Sequence, residues 1–187
     1  YETLRCEGIV VGMLVDDTMA STALAGSGVD VILDQTSFYP EGGGQAGDSG
    51  LLRHEDNVIS VFNTTRIGDL IVHHGEVLSG SIEIGAQFTT EVDSSTRHGA
   101  ASNHTATHLL HAALREVLGP HIRQAGSSVT HERLRFDYTS ELAPSDSEIS
   151  EVEELVNHKI RENLSVSKHE TSYEDAIDQG ALAFFGD

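Results

Sequence analysis

Hydrophobic residues in the first half of the chain occur in short runs that alternate with glycine-rich and acidic segments. Apolar runs bounded by turn-forming residues are typical of β-strands. Five strands are predicted in this way, at residues 8–14, 29–33, 58–62, 70–73 and 88–92. Several short strands at close spacing indicate a small barrel or sandwich. We therefore predict a β-barrel-like subdomain over residues 1–93.

The pattern changes from strand-like to helical after Asp93. Apolar residues then recur every three or four positions, at Ala106, Leu109, Leu110, Ala113, Leu114 and Val117. This is the period of an amphipathic helix. Ser102 or Asn103 can cap its start, and Gly119-Pro120 is typical of a helix end. The sequence thus predicts a helix from Ser102 or Asn103 to about Leu118.

The remainder of the chain predicts a mixture of helix and strand, so the fold class is α+β with an α/β subdomain over residues 94–187. Residues 134–138 and 166–170 favour strands, and residues 173–179 a short helix. Ser145 and Glu148 have the spacing of a capping box. The helix that this box opens is apolar along one face, at positions 149, 152, 155, 156 and 160. The final aromatic pair, Phe184-Phe185, leads us to expect that this subdomain is C-terminally incomplete.

Three histidines lie close together on the helix predicted after Asp93. His104 and His108 are four residues apart, a spacing that places both on one helix face within reach of one metal ion. His111 shares that face, which at roughly 100° per residue lies about half a turn from the apolar stripe. Two interpretations stay open: a metal-binding pair, or exposed histidines on a solvated face. A zinc protease is excluded, because Thr105 stands where the H-E-x-x-H motif needs its glutamate.

Two histidines do not complete a zinc site, since structural sites have four protein ligands and catalytic sites three plus water. Cys6 lies far upstream in a strand-like run, where a free cysteine is usually a small core residue. No spacing among the remaining histidines singles one out. The ligand set read from spacing is therefore incomplete.

A glycine loop at residues 36–45 is the second candidate for chemistry. It contains three consecutive glycines between Thr36 and Gln45. It is neither a P-loop, because no Gly-Lys-Ser/Thr follows, nor a dinucleotide-binding fingerprint, because the glycine spacing differs. A plain barrel corner is one interpretation. The other is a turn that brings Thr36 and Gln45 to a polar substrate as neutral hydrogen-bonding groups.

Composition narrows the classes of protein. No run in the 187 residues reaches the roughly 18 apolar residues of a membrane span, and the single cysteine fits a reducing compartment, so we expect a cytoplasmic protein. The net charge of −19 argues against a general nucleic-acid binder, DNA included, and against an anionic membrane surface. Arginines outnumber lysines nine to two and suit phosphate contacts. Candidates for such contacts, with a solvated surface as the alternative, are Arg97, Arg115, Arg123, Arg133 and Arg135.

These segments together resemble one family. Residues 36–50, T-S-F-Y-P-E-G-G-G-Q-A-G-D-S-G, are similar to the glycine-rich motif of alanyl-tRNA synthetase editing domains and of the free-standing AlaX proteins. Residues 103–136 resemble the same family's metal-binding helix and following strand, and residues 154–164 its next helix. The opening, residues 1–10, is similar to the entry into the editing region of a synthetase, which favours the embedded form over AlaX.

The resemblance implies a function and roles for individual residues. Such domains hydrolyse the ester between tRNA(Ala) and a wrong amino acid, serine or glycine. His104 and His108 match the first two zinc ligands, Gln45 matches a glutamine near the substrate, and Thr36 matches a threonine associated with the serine hydroxyl. No residue is an obvious general base, and none is assigned. The implied partners are the tRNA(Ala) acceptor end and the rest of a parent, ATP-binding synthetase, with no membrane and no DNA.

One departure from the family pattern affects the zinc site. The family completes this site with a downstream C-x-x-x-H motif, and nothing after His108 supplies it. We therefore expect the chain itself to bind zinc weakly or not at all and to be inactive without the missing ligands. A trans-editing hydrolase of the AlaX class and a non-enzymatic acidic module that binds tRNA or protein remain as alternatives. The editing domain of threonyl-tRNA synthetases also has the histidine helix, but its glycine motif matches less well.

Overall fold

A computed structural model describes residues 3–167 and 171–180 of the chain. The strands up to Val92 are β1 (Arg5–Val15), β2 (Thr18–Met19), β3 (Thr22–Leu24), β4 (Gly28–Leu33), β5 (Gly50–His54), β6 (Asn57–Ile67), β7 (Leu70–Ser79), β8 (Ser81–Glu83) and β9 (Gln87–Val92). The elements that follow are α1 (Ser94–Leu118), β10 (Arg123–Val129), β11 (Leu134–Thr139), α2 (Asp146–Glu162) and α3 (Tyr173–Asp178). This arrangement confirms the α+β fold class.

Six strands form a closed antiparallel barrel. They follow one another in the order β1-β4-β7-β6-β5-β9, and pairing of β9 with β1 closes the ring. Along β4 the residues Val29, Val31 and Leu33 are buried while their neighbours are more exposed, the alternation of a strand with one core-facing side. Phe38 and Phe88 are the largest side chains of this core. Closure leaves no unpaired edge strand in the barrel.

All five predicted strands of the barrel are confirmed, although β6 and β7 continue well beyond the predicted residues. The sequence signal missed β2, β3, β5, β8 and β10. Strands β2, β3 and β8 have only two or three residues, too few to show a period. In β5 only Leu52 is buried, and β10 is largely polar. Pairing with neighbouring strands, rather than an apolar pattern, makes β5 a strand.

Helix α1 begins at Ser94, so the predicted start at Ser102 or Asn103 is wrong. Asp93 Oδ1 accepts hydrogen bonds from the backbone N–H groups of Ser95, at 2.8 Å, and Thr96, at 3.2 Å. Asp93 thereby caps the helix. Its first turns are small and polar, so the apolar period that marks a helix appears only later. The predicted end at Leu118 is confirmed, and Gly119 follows with a φ of +119°.

The predicted helix after Ser145 is confirmed with its capping box: Glu148 N–H donates to the Ser145 side chain, and Ser145 N–H donates to the Glu148 carboxylate. A small core lies between α1 and α2, formed by Ala113, Leu114, Ile122 and Val152. Within the described residues only part of the apolar face of α2 is buried, because Ile149 and Ile160 are exposed.

The last predicted elements have mixed outcomes. The short helix at residues 173–179 is confirmed as α3, Tyr173–Asp178. Of the strand predicted at residues 166–170, positions 166 and 167 have no regular structure and positions 168–170 lie outside the described residues. Phe184 and Phe185 also lie outside them.

The chain divides into two compact units. The first runs up to His104 and includes Ser127–Arg135, and the second consists of Thr105–Gly126 and the chain from Phe136 onward. The subdomain boundary predicted at residues 93/94 rests on the change from strands to a helix, and it stays a prediction. Among the helices of the described residues, none has the length and apolar content that a membrane crossing requires.

Candidate functional site

The glycine loop ends in a tight two-residue turn, Gly42–Gln45. Gly42 and Gln45 exchange backbone hydrogen bonds of 3.1 and 3.0 Å. Gly43 and Gly44 between them have φ angles of +59° and +80°. Two successive positive φ angles define a type I′ turn, which glycine adopts at little cost. The consecutive glycines are therefore explained by backbone geometry.

Backbone hydrogen bonds attach this turn to β10. Val129 N–H donates to Gly44 O at 2.8 Å, and Ala46 N–H donates to Val129 O at 2.9 Å. A β-carbon on Gly44 would lie 2.8 Å from the carbonyl oxygen of Ser127. Gly44 is thus needed both for its φ angle and for the close approach of the neighbouring backbone. The turn fixes the direction in which Gln45 leaves the loop.

Gln45 and His104, both predicted site residues, are brought together in the first unit. Gln45 Oε1 lies 2.7 Å from His104 Nδ1. Gln45 is buried, whereas His104 is half-buried. The glycine motif and the histidine motif, far apart in sequence, therefore meet in one polar site.

This hydrogen bond determines which nitrogen of His104 carries the proton. An amide oxygen only accepts, so Nδ1 must donate its hydrogen to Gln45. In the neutral ring the lone pair is then on Nε2, the nitrogen that can bind a metal ion or accept a proton. A partner that fixes the tautomer in this way is the usual companion of a metal-binding histidine.

The other two helix histidines differ from His104. His108 is exposed and belongs to the second unit. His111 is buried, with its ring centroid 5.1 Å from that of Phe136. Burial of the ring, with a smaller contribution from nearby Arg115, lowers the pKa of His111. The expectation that the His111 side chain lies away from the core is therefore wrong, which also rules out the solvated-face interpretation for this histidine.

A complete metal-binding set does not occur within residues 3–167 and 171–180, where no three histidine, cysteine or carboxylate side chains cluster suitably. Cys6 is half-buried, and its backbone N–H donates to Thr90 Oγ1 at 3.0 Å. This contact agrees with a structural role for the cysteine. The described residues therefore do not by themselves fit a full zinc site.

A buried ion pair joins Asp48, just after the glycine loop, to Arg97 at the start of α1. Arg97 Nε lies 3.0 Å from each carboxylate oxygen of Asp48, and the guanidinium also donates to Ser37 O at 2.8 Å. Asp48 Oδ2 accepts from the backbone N–H of Tyr39 at 2.6 Å. The Asp48 carboxylate therefore holds the glycine loop at Tyr39 and attaches it to the helix.

Arg97 is consequently excluded from the candidate phosphate contacts. Its side chain is only 11% exposed and binds Asp48. Arg115 donates to Ile122 O at 2.8 Å, which assigns it a structural contact. Arg123, Arg133 and Arg135 are exposed, and their phosphate-binding role stays a prediction.

Thr36 lies at the start of the glycine loop and contacts a different histidine, His73 of β7. Thr36 Oγ1 is 2.8 Å from His73 Nε2, and His73 Nδ1 is 2.9 Å from Val31 O. His73 is fully buried. Its ring makes an edge-to-face contact with the ring of Phe38, with 5.2 Å between the ring centroids. Burial lowers the pKa of His73 to about 4, so the ring is neutral near pH 7.

Sequence reasoning missed His73, Asp48 and the role of Arg97. From His73 onward, buried positions in β7 alternate with the more exposed His74 and Glu76, and this alternation was the available signal. Nothing in the spacing of Asp48 and Arg97 indicates that they pair. Their contact depends on the folded path of the glycine loop.

Fold and site together define an α+β domain in which a glycine turn and a helix histidine form one polar site. Comparison with known proteins extends this description. Residues 1–96 match the family model described as tRNA synthetases class II (A). The match covers just over half of the chain, and the chain belongs to this family.

The individual relatives compared with this chain are alanine–tRNA ligases. The chain is 46% identical over 188 residues to an alanine–tRNA ligase of Clostridioides difficile (strain 630), covering 100% of this chain and 21% of the ligase. It is 41% identical over 185 residues to one of Thermoanaerobacter sp. (strain X514), covering 99% and 21%. For Leptothrix cholodnii (strain ATCC 51168 / LMG 8142 / SP-6) the identity is 44% over 189 residues, covering 100% and 22%. The chain thus spans about a fifth of the length of the curated relatives it matches.

Proposed function

We propose that the chain is the editing domain of an alanine–tRNA ligase, whose full-length form hydrolyses the ester of Ser-tRNA(Ala) and Gly-tRNA(Ala). The need for such a step is physical. Alanine differs from glycine by one methyl group and from serine by one hydroxyl, and a binding pocket separates such pairs by only about 10- to 200-fold. A second, hydrolytic site raises the fidelity. The alternative of a free-standing AlaX-type hydrolase has the same chemistry and differs in its chain architecture.

The observation that carries this proposal is the contact between Gln45 and His104. It joins the two motifs on which the family resemblance depends, at 2.7 Å. Gln45 acts as a positioning residue, because its amide oxygen holds the His104 ring in one tautomer and orientation. His104 Nε2, which carries the lone pair, is the proposed metal-binding atom, and Thr36 contributes a hydroxyl for the serine side chain. No general base is assigned.

Zinc is the proposed cofactor of the longer protein. His104 and His108, four residues apart on α1, would supply two ligands. The remaining ligands would come from outside the described residues, and no step of the hydrolysis is assigned here to the metal. When bound, zinc would polarise the aminoacyl ester or a water molecule.

The proposed partners follow from the same assignment. They are the acceptor end of tRNA(Ala) and the remainder of the ligase, in the cytoplasm. The net charge of −19 opposes strong independent binding of tRNA by this chain, so affinity would be supplied by other parts of the ligase.

Hydrolysis of Ser-tRNA(Ala) and Gly-tRNA(Ala) tests the proposal, measured with added zinc for this chain and for the full-length product of its gene. We expect the full-length protein to cleave both substrates. In that protein Gln45→Ala should slow both reactions roughly 10- to 100-fold, as expected for loss of a partner that orients a metal-binding histidine.

The matched control is Gln87→Ala, since Gln87 is an exposed glutamine whose contact is with Glu7 of β1. It should leave both rates unchanged. An unaltered rate in the Gln45→Ala protein would remove the role given to Gln45. Absence of cleavage by the full-length protein would contradict the editing function itself.

The second candidate is a non-enzymatic acidic module that binds tRNA or protein. It is favoured by one observation, namely that the part of the chain described by the structure contains no complete metal-binding cluster. Tight tRNA(Ala) binding by a full-length protein that cleaves neither ester would support it.

A further inference from the structure

A fully buried histidine lies beneath the residue proposed to select serine. His73 is next to Thr36 in space and far from it in sequence, with 2.8 Å between His73 Nε2 and Thr36 Oγ1. Its side chain is inaccessible to solvent. It therefore cannot touch an aminoacyl-tRNA, and any effect it has on the substrate must act through Thr36.

The direction of each hydrogen bond in this chain of groups is determined. The carbonyl of Val31 only accepts, so His73 Nδ1, 2.9 Å away, must donate. Burial keeps the ring neutral, because it lowers the pKa of His73 to about 4. With its one hydrogen on Nδ1, the ring can only accept at Nε2. The hydroxyl of Thr36 must therefore donate to His73.

The remaining capacity of the Thr36 hydroxyl is equally limited. Its oxygen has two lone pairs, and the backbone N–H of Phe38 donates to one of them at 3.1 Å. Its only hydrogen is directed at His73. One lone pair of the Thr36 oxygen is left. Thr36 is half-buried, whereas the next two residues, Ser37 and Phe38, are buried. The hydroxyl can thus meet a ligand only as an acceptor.

We propose that His73 is a positioning residue that makes Thr36 Oγ1 an obligatory acceptor for the hydroxyl hydrogen of the seryl group. The inference rests on the proposed editing function. It adds a direction to the recognition, in which the substrate donates and the protein accepts. The selected class is an aminoacyl ester whose side chain carries a short hydrogen-bond donor.

Selection between the two editing substrates follows from this direction. A seryl group gains one hydrogen bond at Thr36, whereas a glycyl group has no side chain to form it. His73 therefore matters for serine and not for glycine. The ratio of the two hydrolysis rates isolates its role, because misfolding or loss of chemistry would lower both rates together.

The tautomer can be checked without any activity. Nitrogen-15 shifts of histidine side chains distinguish a protonated ring nitrogen from one that carries a lone pair. In this chain at pH 7 we expect His73 to be protonated at Nδ1 and unprotonated at Nε2. The reverse tautomer, or a ring protonated on both nitrogens, would overturn the proposal irrespective of whether the chain is active.

The selectivity test uses three variants of the full-length gene product. His73→Leu removes the acceptor and should lower the rate ratio of Ser-tRNA(Ala) to Gly-tRNA(Ala) by roughly 3- to 10-fold, the value of one hydrogen bond. His73→Gln offers an amide oxygen near the position of Nε2 and should restore most of the ratio. His74→Leu is the matched control on the same strand, because His74 faces the other side and contacts Thr65 and Asp30.

A double variant removes the remaining ambiguity. If His73 acts through Thr36, then His73→Leu added to Thr36→Val leaves the ratio where Thr36→Val alone sets it. A further fall would show that His73 acts by another route and would overturn the proposal. An unchanged ratio in His73→Leu would do the same. If neither ester is cleaved by the unaltered protein, the editing function fails, whereas the tautomer measurement still decides the direction of the hydrogen bonds.

Discussion

Single hydrogen bonds assign roles to the histidines of the barrel unit. His104 donates from Nδ1 to Gln45, and His73 donates from Nδ1 to Val31 O. Both rings therefore have the lone pair on Nε2, but one of these nitrogens is directed at a threonine and the other belongs to the proposed reaction site. The difference lies in burial, since His73 is inaccessible and His104 is half-buried.

Protonation of His73 should destabilise the fold in acid. Its pKa is about 4 in the folded chain against an ordinary value of 6.5, so the unfolded chain binds the additional proton between these values. The contribution is fully present above pH 6.5 and is lost as the pH falls towards 4, a decline of at most about 3 kcal/mol. Urea unfolding of the chain at several pH values measures it.

The comparison protein is His73→Gln, which has no group that titrates in this range. Its free energy of unfolding should fall less between pH 6.5 and pH 4.5 than that of the unaltered chain. Because His111 also has a lowered pKa, part of the acid sensitivity should persist. Identical slopes for the two proteins would show that His73 is not the group responsible.

At the scale of elements, the ion pair between Asp48 and Arg97 attaches the glycine loop to α1. Removing one partner leaves the other charge buried, which typically costs about 3–5 kcal/mol. We expect Asp48→Ala to lower the free energy of unfolding by an amount of that order. The loss should exceed what a single exposed ion pair gives, because Tyr39 N–H also loses its acceptor.

An exposed pair in the same unit provides the control. Arg53 and Glu91 are 3.0 Å apart on the barrel surface, and such pairs contribute roughly 0–1 kcal/mol. Arg53→Ala should therefore change the unfolding free energy little. Equal losses of unfolding free energy in Arg53→Ala and Asp48→Ala would contradict the larger contribution expected of the buried pair.

A separate prediction concerns the two glycines of the turn, Gly43 and Gly44. Gly44→Ala introduces a β-carbon at a φ of +80° and against the Ser127 backbone, whereas Gly43→Ala, at +59°, meets no atom within 4 Å. Backbone strain alone costs about 1–2 kcal/mol. Gly44→Ala should therefore destabilise the chain more than Gly43→Ala, as denaturant unfolding of the two variants can show. Equal losses would mean that the approach to Ser127 relaxes freely.

The elements also show what a sequence can and cannot predict. Short apolar strands such as β4, and the capping box before α2, follow from local rules and were found. The start of α1 was missed because Asp93 caps a turn without apolar residues. The family resemblance implied that Gln45 and His104 both belong to the site, but their direct contact was not predicted. The Thr36–His73 pair was not anticipated at all, since the register of β7 in the closed barrel brings the two residues together.

At the scale of the whole molecule, charge is the dominant property. Thirty acidic residues against eleven basic ones give a net charge of −19, so mutual repulsion opposes the folded state. Salt shortens the range of this repulsion, from about 30 Å at 0.01 M to about 10 Å at 0.1 M. The thermal midpoint of the chain should therefore rise on addition of sodium chloride over this range.

Binding of tRNA should depend on salt in the opposite direction, because every arginine–phosphate contact weakens as counterions are added. Because the sequence has only nine arginines, the salt dependence should be shallow. Charge reversal at one of the exposed positions Arg123, Arg133 and Arg135 should reduce it further. Thermal unfolding and tRNA(Ala) binding, titrated with sodium chloride in parallel, check both trends. A midpoint that fell with salt would show that surface ion pairs outweigh the repulsion. A steep loss of tRNA affinity would contradict the shallow dependence expected of a chain with a net charge of −19.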